Sequence, residues 1–371
     1  MNPIIRHITQ DHQNNILTFT LESVNVSFAN ALRRTIITDI PTVIFRTEPH
    51  EENECIVYEN TSRLHNEILG QRLGCIPIHI QDFETIPLEM LIMELDIENK
   101  TDTILYVTTK DFKIKNKESG AYLSEKDRDS IFPPDSKTGY YIDFVVLRPF
   151  ISEDLLGEKI HLTCPFSISS VKTNSMYNTT SCCSYGYTPD TSKIKDTLIQ
   201  KKKEWKEQGL KEEEIEFQGK NWLLLDAQRI TVSDSFDFIV ETVGVFTNES
   251  LVQKACDILV DSLKDLQQLN DTNELQIKPS NSTLQNSLDV VLVNEDYTVG
   301  RIIEYVFYSD YFSKTVDYVG FKKVHPYDTF STLRVAYKEK TEISLLRQDL
   351  NDCIHKCIVV FQKIKQIFNK N

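Results

Sequence analysis

Val26-Ser27-Phe28-Ala29-Asn30-Ala31-Leu32-Arg33-Arg34-Thr35-Ile36-Ile37 and, far downstream, Tyr297-Thr298-Val299-Gly300-Arg301-Ile302-Ile303-Glu304-Tyr305-Val306-Phe307 share one local design. In each, a strand-like run leads to a Ser or Thr (Ser27, Thr298) able to cap a helix N-terminus. An apolar residue follows, then a small one (Ala29, Gly300), then a helix with apolar positions at helical spacing. The small residues suit close approach of two short helices. Each unit is later followed by a long amphipathic helix. A chain that carries one building block twice is expected to pair the copies across a pseudo-twofold interface, which points to an assembly platform before an active site.

Outward from these stretches, residues 4–26 alternate as strand, and Asp39-Ile40-Pro41 ends the first helix because a residue before proline is pushed out of helical geometry. Between 46 and 225 the pattern is irregular and strand-rich, with candidates at Ile104–Thr109, Tyr140–Leu147 and Lys159–Pro165. One clear helix, Arg63 to Leu73, is started by Ser62 and stopped by Gly74, read as a C-cap before any direct contact. The mixed charges from Lys201 to Glu216 read as a solvated helix or a mobile connection. Phe236–Val243 alternates as a strand, and a helix opening at Glu249 or Ser250 carries the stripe Leu251, Ala255, Ile258, Leu259, Leu263, Leu266. The polar run Asn270–Ser282 is the best linker. Past it come strand 287–293, helix 298–309, strands near 317–322 and 330–337, and a helix from about 342 to 368. Its seam of Leu346, Leu350, Cys353, Cys357, Phe361, Ile364 and Phe368 wants a partner helix, and the 251–266 stripe is the obvious one.

Composition narrows the function. With 371 residues the chain can hold two or three domains with real cores. The net charge of −14 argues against gripping a nucleic-acid backbone as the main task, because phosphate neutralisation needs a basic surface. No run of 18 apolar residues exists and no secretory signal follows Met1, so an intracellular or virion-interior protein is expected. The eight cysteines form no Cys-x-x-Cys pair and read as reduced, mostly buried thiols. Catalytic motifs are missing too: no Walker-type phosphate loop, no His-Glu-x-x-His, no Gly-x-Ser-x-Gly elbow. Asp127-Arg128-Asp129 reads as charged surface.

Ser27 to Arg34 followed by Asp39-Ile40-Pro41-Thr42 resembles the start of the α-like subunits of multisubunit RNA polymerases, closest to the third-largest subunit of the eukaryotic enzyme and its archaeal D-type counterpart. Glu59-Asn60-Thr61-Ser62 with Asn66-Glu67-Ile68 and Gln71-Arg72-Leu73-Gly74-Cys75-Ile76-Pro77 is similar to that family's second block, and Phe238 to Gly244 to its third. The C-terminal part resembles the eleventh subunit, or its archaeal L-type counterpart, in Glu295-Asp296-Tyr297-Thr298-Val299-Gly300 and in Tyr318-Val319-Gly320-Phe321-Lys322-Lys323-Val324-His325-Pro326.

The resemblance implies an α+β fold: two polymerase-α-type dimerisation units, each a small antiparallel sheet packed on helices, forming an intrachain pseudo-heterodimer with a mostly β insert. The expected domains are 1–45 plus 226–270, an insert at 46–225, a linker at 271–283, and a second unit at 284–371. The implied function is a non-catalytic assembly platform that nucleates association of the two large subunits; the alternative is a free-standing regulatory dimerisation module that recruits polymerase. Implied partners are the largest and second-largest subunits and the small ones, with little nucleic-acid contact and no membrane. Arg33, Arg34, Glu67 and Arg72 are the partner-interface candidates, with a surface or intrachain ion pair as the other reading of the arginines. Phe28, Leu32, Leu251, Ile258, Leu346, Leu350, Cys357, Phe361 and Ile364 are the candidates for the intrachain seam. No catalytic, cofactor or metal residues are assigned. The family's cysteine zinc loop and iron–sulfur domain are not expected, since no Cys lies between Cys75 and Cys164, and catalytic Mg would belong to the large subunits. A fused arrangement resembles that of some large cytoplasmic DNA viruses, which implies host cytoplasm and virion, or otherwise the nucleus.

Overall fold

A computed structural model describes residues 1–83, 85–152 and 156–369. The chain divides into two compact units. The first comprises Met1–Ile36, Cys182–Glu241 and the chain from Val252 onward; the second comprises Ile37–Ser181 and Thr242–Leu251. In chain order the elements are β1 (Ile4–Asp11), β2 (Ile16–Glu22), α1 (Val26–Thr38), β3 (Thr42–Ile44), β4 (Ile56–Asn60), α2 (Asn66–Gly74), β5 (Leu91–Glu98), β6 (Leu105–Thr108), β7 (Lys113–Asn116) and α3 (Glu125–Ile131). There follow β8 (Asp143–Leu147), β9 (Lys159–Pro165), β10 (Ser167–Ser169), β11 (Thr180–Pro189), α4 (Thr191–Glu207), α5 (Glu212–Leu224), β12 (Thr231–Thr242) and α6 (Asn248–Asp271). The last are β13 (Ile277–Pro279), β14 (Ser287–Val293), α7 (Tyr297–Tyr311), β15 (Val316–Lys322), β16 (Phe330–Tyr337) and α8 (Ile343–Phe368).

The first unit holds two four-stranded sheets, ordered β1-β2-β12-β11 and β13-β14-β16-β15. Their central antiparallel pairs match in length: Ile16–Glu22 against Ser235–Glu241, and Ser287–Val293 against Phe330–Ala336. Helices follow at the same places, α1 after β2 and α7 after β14, then α6 after β12 and α8 after β16. The duplication read from two helix starts therefore extends to every strand. The expected boundaries differ in several places, and residues 37–45 and 242–251, expected in the first dimerisation domain, belong to the second unit. Residues 182–225 join the first unit because β11 pairs beside β12, and α4–α5 is a helical hairpin within that unit. The expected linker is partly ordered: Asn270 is buried, and Ile277–Pro279 pairs with Leu288–Val290.

The helix starts repeat down to the cap, one residue ahead of each helix. The Asn25 Oδ1 accepts the Ser27 N–H at 2.9 Å, and the Asp296 Oδ1 accepts the Thr298 N–H at 2.7 Å. Asn25 and Asp296, not Ser27 and Thr298, are the caps, since a side-chain oxygen at that position meets an orphan amide of the first turn. Gly300 also has a different role from the one expected. A Cβ there would overlap the Phe321 ring of β15, so the glycine admits an aromatic from its own sheet.

The second unit is mostly β, with sheets β4-β9-β5-β7, β10-β3 and β6-β8. Its core gathers Phe45, Leu73, Met93, Phe112, Phe144 and Leu162 with their neighbours. Helix α2 starts at Asn66, not Arg63, because the Ser62 hydroxyl donates to the Asn60 Oδ1 at 2.6 Å and holds the chain in a turn. Gly74 lies inside that helix and is not a left-handed cap: Cys75 follows in right-handed geometry. A Cβ on Gly74 would sit 2.7 Å from the Thr47 Oγ1 and 2.8 Å from the Met176 Sδ, so close packing requires the glycine.

Gly300→Ala is expected to lower unfolding free energy by about 1–3 kcal/mol in a urea titration, as overpacking does. Combining it with Phe321→Leu should cost less than the sum of the two single changes. A Gly300→Ala protein that unfolds at the wild-type midpoint would refute the packing role.

Candidate functional site

The surfaces on which the two copies meet are built from α1, α6, α7 and α8. Phe28 on α1 is fully buried, its ring centroid 5.4 Å from Phe361 of α8 and 6.5 Å, edge-on, from Tyr305 of α7. Phe19 of β2 stacks on Phe238 at 4.9 Å and meets Phe368 of α8 edge-on at 5.2 Å. Such pairs add about 0.5–1.5 kcal/mol each to their area burial. Leu32, Leu251, Leu346, Leu350, Cys357, Phe361 and Ile364 are all fully buried. Ile258 is the exception, half-buried, because the covered face of α6 runs through Val252, Ala255, Cys256, Leu259 and Leu263.

Polar contacts fix the register of α6 and α8. At one end Gln253 Nε2 donates to the Phe368 carbonyl at 3.0 Å, and Lys365 Nζ meets both Asp257 oxygens at 2.6 and 2.7 Å. At the other, Asn270 Nδ2 donates to the Arg347 carbonyl (2.9 Å) and to Asn351 Oδ1 (2.8 Å). Arg347 returns the bond to Asn270 Oδ1 at 2.9 Å and donates to the Leu275 carbonyl at 3.0 Å. The two helices thus run antiparallel.

Between α1 and α7 the contact is a clamp. Arg34 Nη2 donates to Asp296 Oδ2 at 2.5 Å, and its Nε donates to Thr298 Oγ1 at 2.9 Å. The same carboxylate caps α7 through its other oxygen, so a single side chain starts one copy's helix and holds the other copy's arginine. The planar guanidinium fork suits this two-point hold, where an ammonium would not. Both partners are more than a third exposed, 38% and 39%, so the ion pair itself contributes on the order of 1 kcal/mol or less. Tyr305 stands at the position in the second copy that Arg34 holds in the first, and it lines a surface cavity with Ser27 at the start of α1.

The other candidates separate. Arg33 directs both Nε and Nη2 to Asn30 Oδ1 on its own helix, at 3.1 and 3.0 Å. Arg72 donates from Nε to the Phe144 carbonyl (2.7 Å) and from Nη2 to the Asp143 carbonyl (2.8 Å), tying α2 to β8. Glu67 is exposed on the first turn of α2 and lines a cavity of about 290 Å³ with Thr47, Glu48, His50 and Cys55. Of the four, Arg33, Arg34 and Arg72 make intrachain contacts, and Glu67 faces outward. Asp296 and Asn270 are the residues that the sequence reading passed over. An acidic residue directly before a helical pattern is itself a cap signal, and it was legible in Glu295-Asp296-Tyr297. Asn270 carries no such mark.

Comparison with known proteins follows this architecture. The family model for the RNA polymerase Rpb3/Rpb11 dimerisation domain matches residues 18–263, from β2 into α6. The DNA-directed RNA polymerase subunit Rpo3 of Pyrococcus horikoshii is 36% identical over 94 residues, 24% of this chain and 34% of that protein. Rpo3 of Methanosphaera stadtmanae is 25% identical over 182 residues, 48% of this chain and 61% of that protein. Human RPAC1, a subunit of DNA-directed RNA polymerases I and III, is 38% identical over 65 residues, 18% of this chain and 17% of that protein. The chain thus spans about a third of the length of the Pyrococcus relative. Since the family model covers more than half of the sequence, the chain belongs to the RNA polymerase Rpb3/Rpb11 dimerisation-domain family.

Proposed function

We propose that this chain is a non-catalytic assembly-platform subunit of a multisubunit DNA-directed RNA polymerase, with a third-largest-subunit half and an eleventh-subunit half joined as an intrachain pseudo-heterodimer. The observation that carries this reading is the repeated sheet-and-helix unit whose copies meet through the Arg34–Asp296 clamp and the α6–α8 pair. A cell that needs two such halves side by side gains a fixed 1:1 platform from one polypeptide. In this reading the largest and second-largest subunits, and the small ones, are the partners, and nucleotidyl transfer with its Mg ions is theirs. The net charge of −14 supports protein partners over direct duplex contact. Joined halves also support a viral enzyme working in the host cytoplasm and carried in the virion. The platform itself requires neither zinc nor an iron–sulfur cluster.

A protease site inserted between Asn273 and Glu274 tests the pseudo-heterodimer in the intact fold. After cleavage the two pieces should co-elute from a sizing column as one species, because each alone would expose the apolar faces now covered. Separation into two monodisperse pieces would reject it.

Platform residues are tested by capture of the second-largest subunit alongside a thermal melt. Glu67→Ala should leave the melt unchanged and weaken capture, by about 2 kcal/mol or more if a buried charge pair is broken. Arg34→Ala and Arg72→Ala should lower stability by about 1–3 kcal/mol through lost charge-assisted hydrogen bonds and leave capture of the folded fraction intact. Normal capture by Glu67→Ala would remove α2 from the platform, and co-purification of the chain with no large subunit would favour the free-standing module instead.

Elemental analysis of the purified chain should find zinc and iron well below one atom per chain. Stoichiometric zinc that survives dialysis would contradict the cofactor-free reading.

A further inference from the structure

Strand β4 pairs with β9 in antiparallel register, Ile56 with Thr163 and Val57 with Leu162. The next step along that register sets Cys55 opposite Cys164. The Cys55 N–H is directed to Asn53 Oδ1 at 2.9 Å, so this pair sits at the mouth of the ladder without a backbone bond from that amide. Directly opposed residues of an antiparallel pair have Cα atoms about 4.5–5.5 Å apart, inside the window that a disulfide spans. Both cysteines are free thiols.

The two thiols differ in access. Cys164 is fully buried between β4 and β5, whereas Cys55 is half-buried and lines the cavity of about 290 Å³ beside Glu67. The hydrogen bond from Cys164 lowers the Cys55 thiol below its ordinary value, against the opposing effect of burial. The same bond, with burial, raises Cys164. An accessible thiol of lowered pKa next to a protected one is the arrangement of an attacking and a resolving cysteine. The other thiols lack it. Cys182 is exposed but its neighbour Cys183 points to the opposite face of β11, and Cys353 and Cys357 on α8 are fully buried.

We propose that Cys55 and Cys164 form a redox-responsive dithiol that a low-molecular-weight disulfide such as oxidised glutathione converts to a cross-strand disulfide. The Cys55 thiolate attacks one sulfur of the oxidant and forms a mixed disulfide, and the departing thiolate takes up a proton. Cys164 then attacks the Cys55 Sγ, its proton passing to the departing thiolate, so that the second half of the oxidant also leaves as thiol. Two protein thiols are oxidised, one disulfide is reduced to two thiols, and the protons balance. The new bond ties the edge strand β4 to the sheet interior and narrows one wall of the cavity.

Reduced full-length protein, freed of reductant and exposed to oxidised glutathione, is digested without reduction and mapped by mass spectrometry. The expected product is a cross-linked peptide pair holding Cys55 and Cys164, with no glutathione retained on either. Cys164→Ser should lose the cross-link entirely and retain glutathione on Cys55, while Cys55→Ser should leave Cys164 unmodified. Cys164→Ala, with a thermal melt of each variant, guards against a serine that unfolds the core. Wild-type protein that keeps both thiols reduced, or holds glutathione on Cys55 without passing it on, would overturn the proposal, as would cross-linking only to Cys75.

Discussion

The long helix α8 is covered from both copies, Cys357 lying against Ile302 of α7 while Phe361 and Phe368 meet Phe28 and Phe19. It carries buried residues along its whole length from Leu346 to Phe368. Burying one such side chain is worth roughly 1.5–3 kcal/mol, so leaving the seam in water would cost far more than a domain's net stability. The antiparallel meeting of α6 and α8 resolves this, and much of the first unit is arranged so that it can happen. Polar residues at both ends of the pair, Asp257 with Lys365 and Asn270 with Arg347, set the register that the apolar contacts alone would leave free to slide.

Within this arrangement the clamp at Asp296 adds specificity more than strength. Its carboxylate has two duties on two oxygens, one to its own helix and one to Arg34. A half-exposed ion pair contributes little by itself. Loss of either partner, however, leaves a helix start or a guanidinium without its best-placed neighbour, and the cost falls on the orientation of α1 against α7. Tyr305 occupies the corresponding position in the other copy and makes an aromatic contact with Phe28 instead. The copies are alike in backbone plan and unlike in the chemistry of their mutual contacts.

Much of this was legible in the sequence wherever apolar periodicity was strong. Strands β9, β14 and β16, helix α8 and its seam lie where the residue pattern places them, because alternation and four-three stepping survive into the fold. The polar elements were not legible. Strand β11 reads Thr-Ser-Cys-Cys-Ser-Tyr-Gly-Tyr-Thr-Pro, and β13 is three residues in an Asn- and Ser-rich stretch; both form because a neighbouring strand edge supplies hydrogen bonds. Likewise, local sequence does not say that Gly74 faces Thr47 and Met176, or that Arg34 reaches a cap in the other copy, since both depend on distant chain. Local residue pattern located the starts of α1 and α7 to within a residue, while the assignment of individual charged residues required their three-dimensional neighbours.

The short connection from Asp271 to Ile277 has a consequence for how the pair comes together in a cell. Two separate chains must find each other by diffusion, so their complex thins out on dilution and depends on matched synthesis. Joined by a few residues, the partners experience a local concentration on the order of millimolar, set by the tether and independent of how much protein the cell makes. Folding of the first unit becomes a unimolecular event, insensitive to dilution, and the ratio of the halves is fixed at translation. The pairing is therefore complete even when copies of the chain are scarce.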